Sequence, residues 1–97
     1  KTKWDDIAFL RSTSTSKPWL TAVTDRYKLI YSALGDPWLY DLQNDPDEMH
    51  NEFAQPKSKK IVRRLTAKLA AYAKLHNAPS AADPQIQADM TLALGRD

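Results

Sequence analysis

The chain has 97 residues, 14 Lys and Arg against 12 Asp and Glu, a net charge of +2, and no cysteine. Those bounds allow one domain with a single core and exclude disulfides, thiol catalysis and cysteine-ligated zinc or iron–sulfur centres. No apolar run approaches the ~20 residues that cross a bilayer, and a charge so near balance implies no polyanionic partner, so neither membrane nor nucleic acid is expected. The distribution says more than the sum: residues 36–52 hold six acids and no Lys or Arg, whereas residues 57–74 hold seven Lys or Arg and no acid. The chain opens at Lys1 rather than at a methionine, which reads as a piece of a longer or processed product. Missing targeting signals therefore say nothing of the parent.

Residues 1–6 are polar apart from Trp4 and read as a lead-in. Ile7-Ala8-Phe9-Leu10 is a short apolar run, consistent with a first strand at about 7–11. A Ser/Thr tract at 12–16 followed by Pro18 reads as a loop, because hydroxyl side chains compete for nearby backbone groups. Trp19-Leu20-Thr21-Ala22-Val23-Thr24 is rich in aromatic and β-branched residues and predicts a second strand over 19–24. Asp25-Arg26 is the place for a tight reversal. Tyr27, Leu29 and Tyr31 then alternate with Lys28, Ile30 and Ser32, a third strand over 27–33. Gly35 supplies the next turn, and Trp38, Tyr40 and Leu42 alternate with Leu39 and Asp41 in a fourth strand over 37–42. That strand stops at Asn44-Asp45-Pro46-Asp47, where side-chain acceptors and a fixed proline φ favour a turn.

Phe53 is expected to plug the core beyond this joint. Pro56 suits a first helical position, where a missing N–H costs nothing. Ile61, Leu65, Leu69, Tyr72 and His76, with Val62 and Ala73, then form one apolar stripe of a helix over about 56–76. Lys57, Lys59 and Lys60 sit at its N-terminus, where the dipole disfavours cations; an acidic joint folded back beside them would offset this. Asn77-Ala78-Pro79 ends the helix, and 80–97 is linker and tail, with Ile86, Met90 and Leu94 spaced either for a short last helix or for packing on a neighbour. The short links between strands favour an antiparallel meander. The expected fold is α+β: a small four-stranded antiparallel sheet with one long amphipathic helix packed on one face.

Residue types that carry chemistry are sparse. Asp45, Asp47 and Glu48 have the composition of a calcium loop, but Pro46 interrupts them and no central glycine follows. His50 and His76 have no histidine partner at helical spacing. Two glycines cannot build a phosphate-cradling loop, and no Gly-x-Ser-x-Gly elbow occurs. The basic helix and the sheet aromatics lack the glycine-and-aromatic strand motif of RNA-binding sheets. No catalytic, cofactor-binding or metal-ligating residue is assigned.

Two motifs carry a resemblance. Thr24-Asp25-Arg26-Tyr27-Lys28-Leu29-Ile30, followed by Leu39-Tyr40-Asp41-Leu42-x-x-Asp45-Pro46-x-Glu48-x-x-Asn51, resembles the C-terminal subdomain of the sulfatase family. The match spans about residues 22–76. It departs locally at Val23, where the family often has an arginine. The resemblance implies a parent that hydrolyses sulfate esters, with an upstream catalytic α/β domain in the same polypeptide holding calcium and a formylglycine, and a periplasmic or secreted location. None of that machinery is in this chain: in Ser16-Lys17-Pro18-Trp19-Leu20, the nearest match to the modification motif, Leu20 stands where arginine is required. The implied role is structural, a non-catalytic subdomain that packs on the catalytic domain, helps shape the substrate cleft and is inactive alone. Leu29, Leu39 and Leu42 would be core, the Tyr40 ring would be buried with its hydroxyl partnered, Asp41 and Asp45 would hold turn N–H groups, and Asn51 the crossover into the helix. The alternative is a free-standing protein-interaction module.

Overall fold

The computed structural model describes residues 7–11, 18–33, 35–76 and 83–95. Four strands run in chain order: β1 (Ala8–Arg11), β2 (Trp19–Val23), β3 (Tyr27–Ser32) and β4 (Gly35–Asp41). Each pairs antiparallel with the next, so spatial order equals sequence order. Helix α1 (Lys59–Leu75) follows a single 3₁₀ turn at Pro56–Ser58, and α2 (Pro84–Ala93) closes the described fold. The fold is therefore the α+β arrangement expected from the sequence, with the short last helix formed. The expected lead-in at 1–6, the Ser/Thr tract at 12–16 and the helix stop at 77–79 lie outside the described residues.

Register explains the core. Phe9, Ala22, Leu29 and Leu39 are cross-strand partners in one row, and Arg11, Leu20 and Tyr31 form the next. Cross-strand partners share a face, and this one is covered: Leu20, Ala22, Leu29, Tyr31 and Leu39 are fully buried. The α1 stripe of Val62, Leu65, Thr66, Leu69 and Ala73 lies buried over them. Steps of three and four residues put these side chains on one side of the helix. Phe53 is half-buried against the same core and meets Tyr31 edge-on, with ring centroids 6.1 Å apart. At the β1 edge Phe9 stacks on Tyr72 at 4.6 Å, and the His76 ring lies 4.7 Å beyond Tyr72.

One polar contact sits inside this apolar layer. The Tyr31 hydroxyl and Thr66 Oγ1 are 2.6 Å apart, and both residues are fully buried. Burial pushes the Tyr31 hydroxyl pKa up, far beyond the physiological range, so it serves as a neutral hydrogen-bonding group.

Helix α2 settles the alternative left open for 85–94. Asp83 caps it, its Oδ2 accepting from the Ile86 N–H at 3.1 Å, and Pro84 takes the first helical position. Ile86 and Met90 are buried and the helix packs against α1 and β3, so it completes the core of this chain. Past its end Gly95 adopts φ +76, with the Arg63 guanidinium lying against it where a Cβ would stand. The left-handed φ favours glycine there, whereas the guanidinium is the movable end of its side chain.

Several boundaries differ from the sequence reading, most clearly at the two ends of β4 and at the β2–β3 turn. β4 starts at Gly35, two residues early, because an irregularity after Ile30 lets Ser32 pair with Gly35. It stops at Asp41, whose side chain turns back to accept from the Gln43 N–H at 3.2 Å. Leu42 therefore falls in the turn: it is half-buried, outside the core, and donates its N–H to the Arg26 carbonyl at 2.6 Å. Thr24 likewise belongs to the β2–β3 turn. Its N–H reaches the Tyr27 carbonyl at 2.8 Å, and its Oγ1 accepts from the Tyr27 and Arg26 N–H groups at 2.8 and 3.2 Å.

Candidate functional site

The motif residues gather where sheet turns into helix. Arg26, in the turn just before β3, and Asp41, at the end of β4, face each other across the strand pair. The guanidinium donates from Nε to Oδ1 at 3.2 Å and from Nη2 to Oδ2 at 3.1 Å. A planar fork meeting a carboxylate twice is the strong form of this pairing. It draws the Asp41 carboxyl below its ordinary pKa, chiefly through the Arg26 hydrogen bonds, and raises that of Arg26. Asn44 Nδ2 adds a third bond to Asp41 at 2.9 Å. The Arg26 guanidinium also lies 5.1 Å from the Tyr27 ring centroid.

Asp45 organises the next turn. Its carboxylate accepts from the Met49 N–H at 3.0 Å and from the His50 N–H at 2.8 Å. These backbone bonds hold its pKa below the ordinary value, the Met49 contribution being the largest. Pro46 lies inside the loop so closed, and Glu48 adopts φ 56, a left-handed conformation that non-glycine residues seldom take. Glu48 reaches back to pair with Lys28 of β3 at 3.1 Å. The His50 ring is exposed, and the bond made to Asp45 is from the backbone N–H rather than from the imidazole.

Asn51 does more than its place in the motif suggested. Its Oδ1 accepts from the Leu39 and Phe53 N–H groups, both at 3.0 Å, and its Nδ2 donates to the Pro37 carbonyl at 3.1 Å. The Glu52 N–H adds a bond to the Leu39 carbonyl at 2.8 Å. One amide and one peptide group thus seal the free edge of β4, which would otherwise present unpaired backbone. Glu52 then pairs with Lys57 at 3.6 Å, which sets one acid beside the basic start of the helix. Of the remaining motif residues, Leu39 is in the core, Asp25 is exposed in the turn, and Tyr40 is half-buried on the opposite sheet face, its ring stacked 5.7 Å from Trp38. The Tyr40 ring is therefore not buried as expected: the parity of β4 turns it away from the helix layer.

A cleft of about 340 Å³ opens beside this joint, lined by Arg26, Asp41, Glu52, Lys57, Lys60 and Arg64 among others. Its charges are largely internal pairs. Asp41 in the cleft wall and Asp45 in the adjoining turn have carboxyl pKa values held below the ordinary one, the opposite of a general acid or base poised near neutrality. Among the described residues no three His, Asp or Glu side chains lie close enough to hold a metal ion. The bonds this constellation makes fix a turn and a sheet edge.

The depressed carboxylates make a prediction about pH. A group whose folded-state pKa lies below its unfolded value contributes stability above the unfolded value and loses it as pH falls toward the folded one. Asp41 and Asp45 should therefore stabilise the fold fully above about pH 5, with loss as acid titrates them. Asp45→Asn should lower the denaturation midpoint at pH 7 and flatten its decline toward pH 3. Parallel acid limits for the two proteins would remove this role from Asp45.

Comparison with known proteins bears on the same residues. Residues 9–75 match the family described as N-sulphoglucosamine sulphohydrolase, C-terminal. The chain belongs to that sulfatase C-terminal family. The match runs from β1 to the last residue of α1 and so takes in the sheet, the joint and the long helix. Solved sulfatases share the fold of this sulfatase C-terminal domain. A protein assigned as a sulfatase from Bacteroides thetaiotaomicron VPI-5482 is 27% identical with a TM-score of 0.61, covering 74% of this chain and 16% of its own. BT1596, a 2-O GAG sulfatase, is 28% identical with a TM-score of 0.59, covering 79% and 16%. An uncharacterised Haemophilus influenzae protein is 38% identical over 53 residues, 55% of this chain and 27% of its own length. The chain thus spans about a sixth of the solved sulfatases and about a quarter of the curated relative.

Sequence reasoning missed three features of the domain. Thr66 stood in the α1 stripe, one step from Leu65, as the polar residue among apolar ones. Asp83-Pro84 read as linker although it has the form of a cap and first turn. The Asn51 bonds to β4 are long-range and leave no periodic trace.

Proposed function

We propose that this chain is the non-catalytic C-terminal subdomain of an enzyme that hydrolyses sulfate esters, packing on the catalytic α/β domain of the same polypeptide and helping to wall its substrate cleft. The observation that carries the reading is the coincidence of the family match with the joint: residues 9–75 match the family, and the acids that dominate their sequence serve the fold. Asp41 is occupied by Arg26, Asn44 and a backbone N–H, and Asp45 by two backbone N–H groups. In the parent the reacting groups, calcium and a formylglycine, belong to the upstream domain. The residues here do not fit either group: the chain has no cysteine, the Ser16 motif lacks its arginine, and the described acids form no ligand cluster. No step of hydrolysis runs through this chain. A parent that acts on sulfated sugars outside the cytoplasm belongs to the same reading.

The test is sulfate release from 4-methylumbelliferyl sulfate and from a panel of sulfated sugars, 2-O-sulfated glycosaminoglycan fragments included. A polypeptide carrying this chain behind its catalytic domain should release sulfate, and residues 1–97 alone should release none. Turnover by the purified chain would overturn the non-catalytic role. A parent without the catalytic domain would leave only the free-standing module.

A further inference from the structure

The two faces of the sheet are unequally used. Helices α1 and α2 cover the inner one. The outer face carries Leu10, the buried Thr21, Ile30 and Trp38 in one cross-strand row, Val23, Lys28 and Tyr40 in the next, and Trp19 beside Ser32 beyond. Three of these stand well out of the surface: Leu10 is 50% exposed, Trp19 39% and Trp38 43%. In the centre of the face the one charged residue is Lys28, and Glu48 neutralises it from the side at 3.1 Å. The outward side of α1 is the reverse, with Lys60, Arg63, Arg64 and Lys74 exposed along it. Single exposed apolar residues are ordinary, but a contiguous apolar face rimmed by polar groups marks an interface. Tryptophan and tyrosine with charge depleted at the centre is the composition of an interface core.

We infer that this outer face, centred on Trp38 and Trp19, is the seat of the upstream domain of the same polypeptide. The inference rests on the reading above and adds which surface makes the contact. Two observations choose the occupant. The matched region is the C-terminal piece of its family and about a sixth of the solved sulfatases, so most of such a polypeptide precedes β1. Among the described strands β1 is itself an edge, and it begins at Ala8, exposed beside Val23 at the margin of the open face. The helix side offers arriving chain a solvated, cationic surface instead. Docking on the sheet therefore buries the apolar face while leaving the basic helix in water.

Hydroxyl-radical footprinting of the complete polypeptide, native against urea-unfolded and read by mass spectrometry, tests this directly. Trp19 and Trp38 should be oxidised about tenfold or more slowly in the native state, as expected of side chains in a water-excluding interface core. Met49, 72% exposed on the joint, and Leu92, 75% exposed on α2, serve as internal references and should keep most of their reactivity. Slowing of Trp19 and Trp38 by no more than the two- to threefold roughly expected from their exposure in this fold alone would overturn the inference. Protection that grows with protein concentration would also overturn it, because a second copy would then cover the face. Sulfate release by the same preparation separates the two claims. Activity with reactive tryptophans sinks the interface alone, whereas protected tryptophans without hydrolysis of any sulfate ester sink the sulfatase reading and leave the interface.

Discussion

Asn51→Ala should lower stability by about 2 kcal/mol, the sum expected for three hydrogen bonds of ordinary strength discounted for the water that reaches an exposed side chain. In a domain of this size that corresponds to a fall in midpoint of roughly 10 °C. The reason is geometric. Asn51 presents an acceptor to the Leu39 and Phe53 N–H groups and a donor to the Pro37 carbonyl, so alanine releases the β4 edge and the crossover at once. Asn51→Asp separates the contributions. It keeps the acceptor but places a carboxylate oxygen against the Pro37 carbonyl, and should cost about half as much. Thermal melts of the two variants check the order. An unchanged midpoint for Asn51→Ala would mean that the backbone bond from Glu52 to Leu39 holds the edge unaided.

The second large effect lies in the core. Tyr31→Phe removes a hydroxyl that Thr66 uses at 2.6 Å in a fully buried site, and should cost about 1–3 kcal/mol because a buried polar group loses its partner. Thr66→Val should cost a similar amount by stranding the tyrosine hydroxyl. Removing both leaves no stranded group, so the double variant should be less destabilised than the sum of the singles by about 1 kcal/mol or more. A denaturant-based double-mutant cycle measures this coupling. Additive losses would show that the two hydroxyls contribute independently, each satisfied elsewhere.

These residues also show where the sequence is informative. Leu29 and Tyr31 alternate with Lys28 and Ile30, and the steps from Leu65 to Leu69 follow helical spacing, so strands, helix and antiparallel order were all legible from local pattern. Which sheet face the helix covers was not legible in β4. Trp38 and Tyr40 are as apolar as Leu39, and only pairing with β3, whose Leu29 partners Leu39, assigns them to opposite sides. Leu42 misled for a related reason: it continues the apolar alternation, but the Asp41 side chain has already turned the backbone. α2 was ambiguous because its two buried residues, Ile86 and Met90, need α1 and β3 beside them to matter. The joint was legible as a turn from Asn44-Asp45-Pro46 and as a family signature. Its mechanics were not, since Arg26 to Asp41 and Asn51 to Leu39 are contacts across 15 and 12 residues.

That division bears on function. Asp41 and Asp45 attract attention as candidate catalysts, yet Asp41 is tied to the Arg26 fork and Asp45 to backbone N–H groups, and those bonds hold both carboxyls below their ordinary pKa. Their identity marks the family, and their chemistry holds the shape that the family needs.

The central claim is that the joint is structural. Its most direct test is the turnover of the complete polypeptide carrying Asp41→Asn or Asp45→Asn, assayed on a sulfate ester well below the melting temperature of each variant. The account predicts lowered midpoints with kcat per folded molecule within about twofold of the parent, since neither group is asked to stabilise a transition state. A fall of about a hundredfold or more in kcat with the fold intact, the scale on which a catalytic acid or base acts, would contradict it.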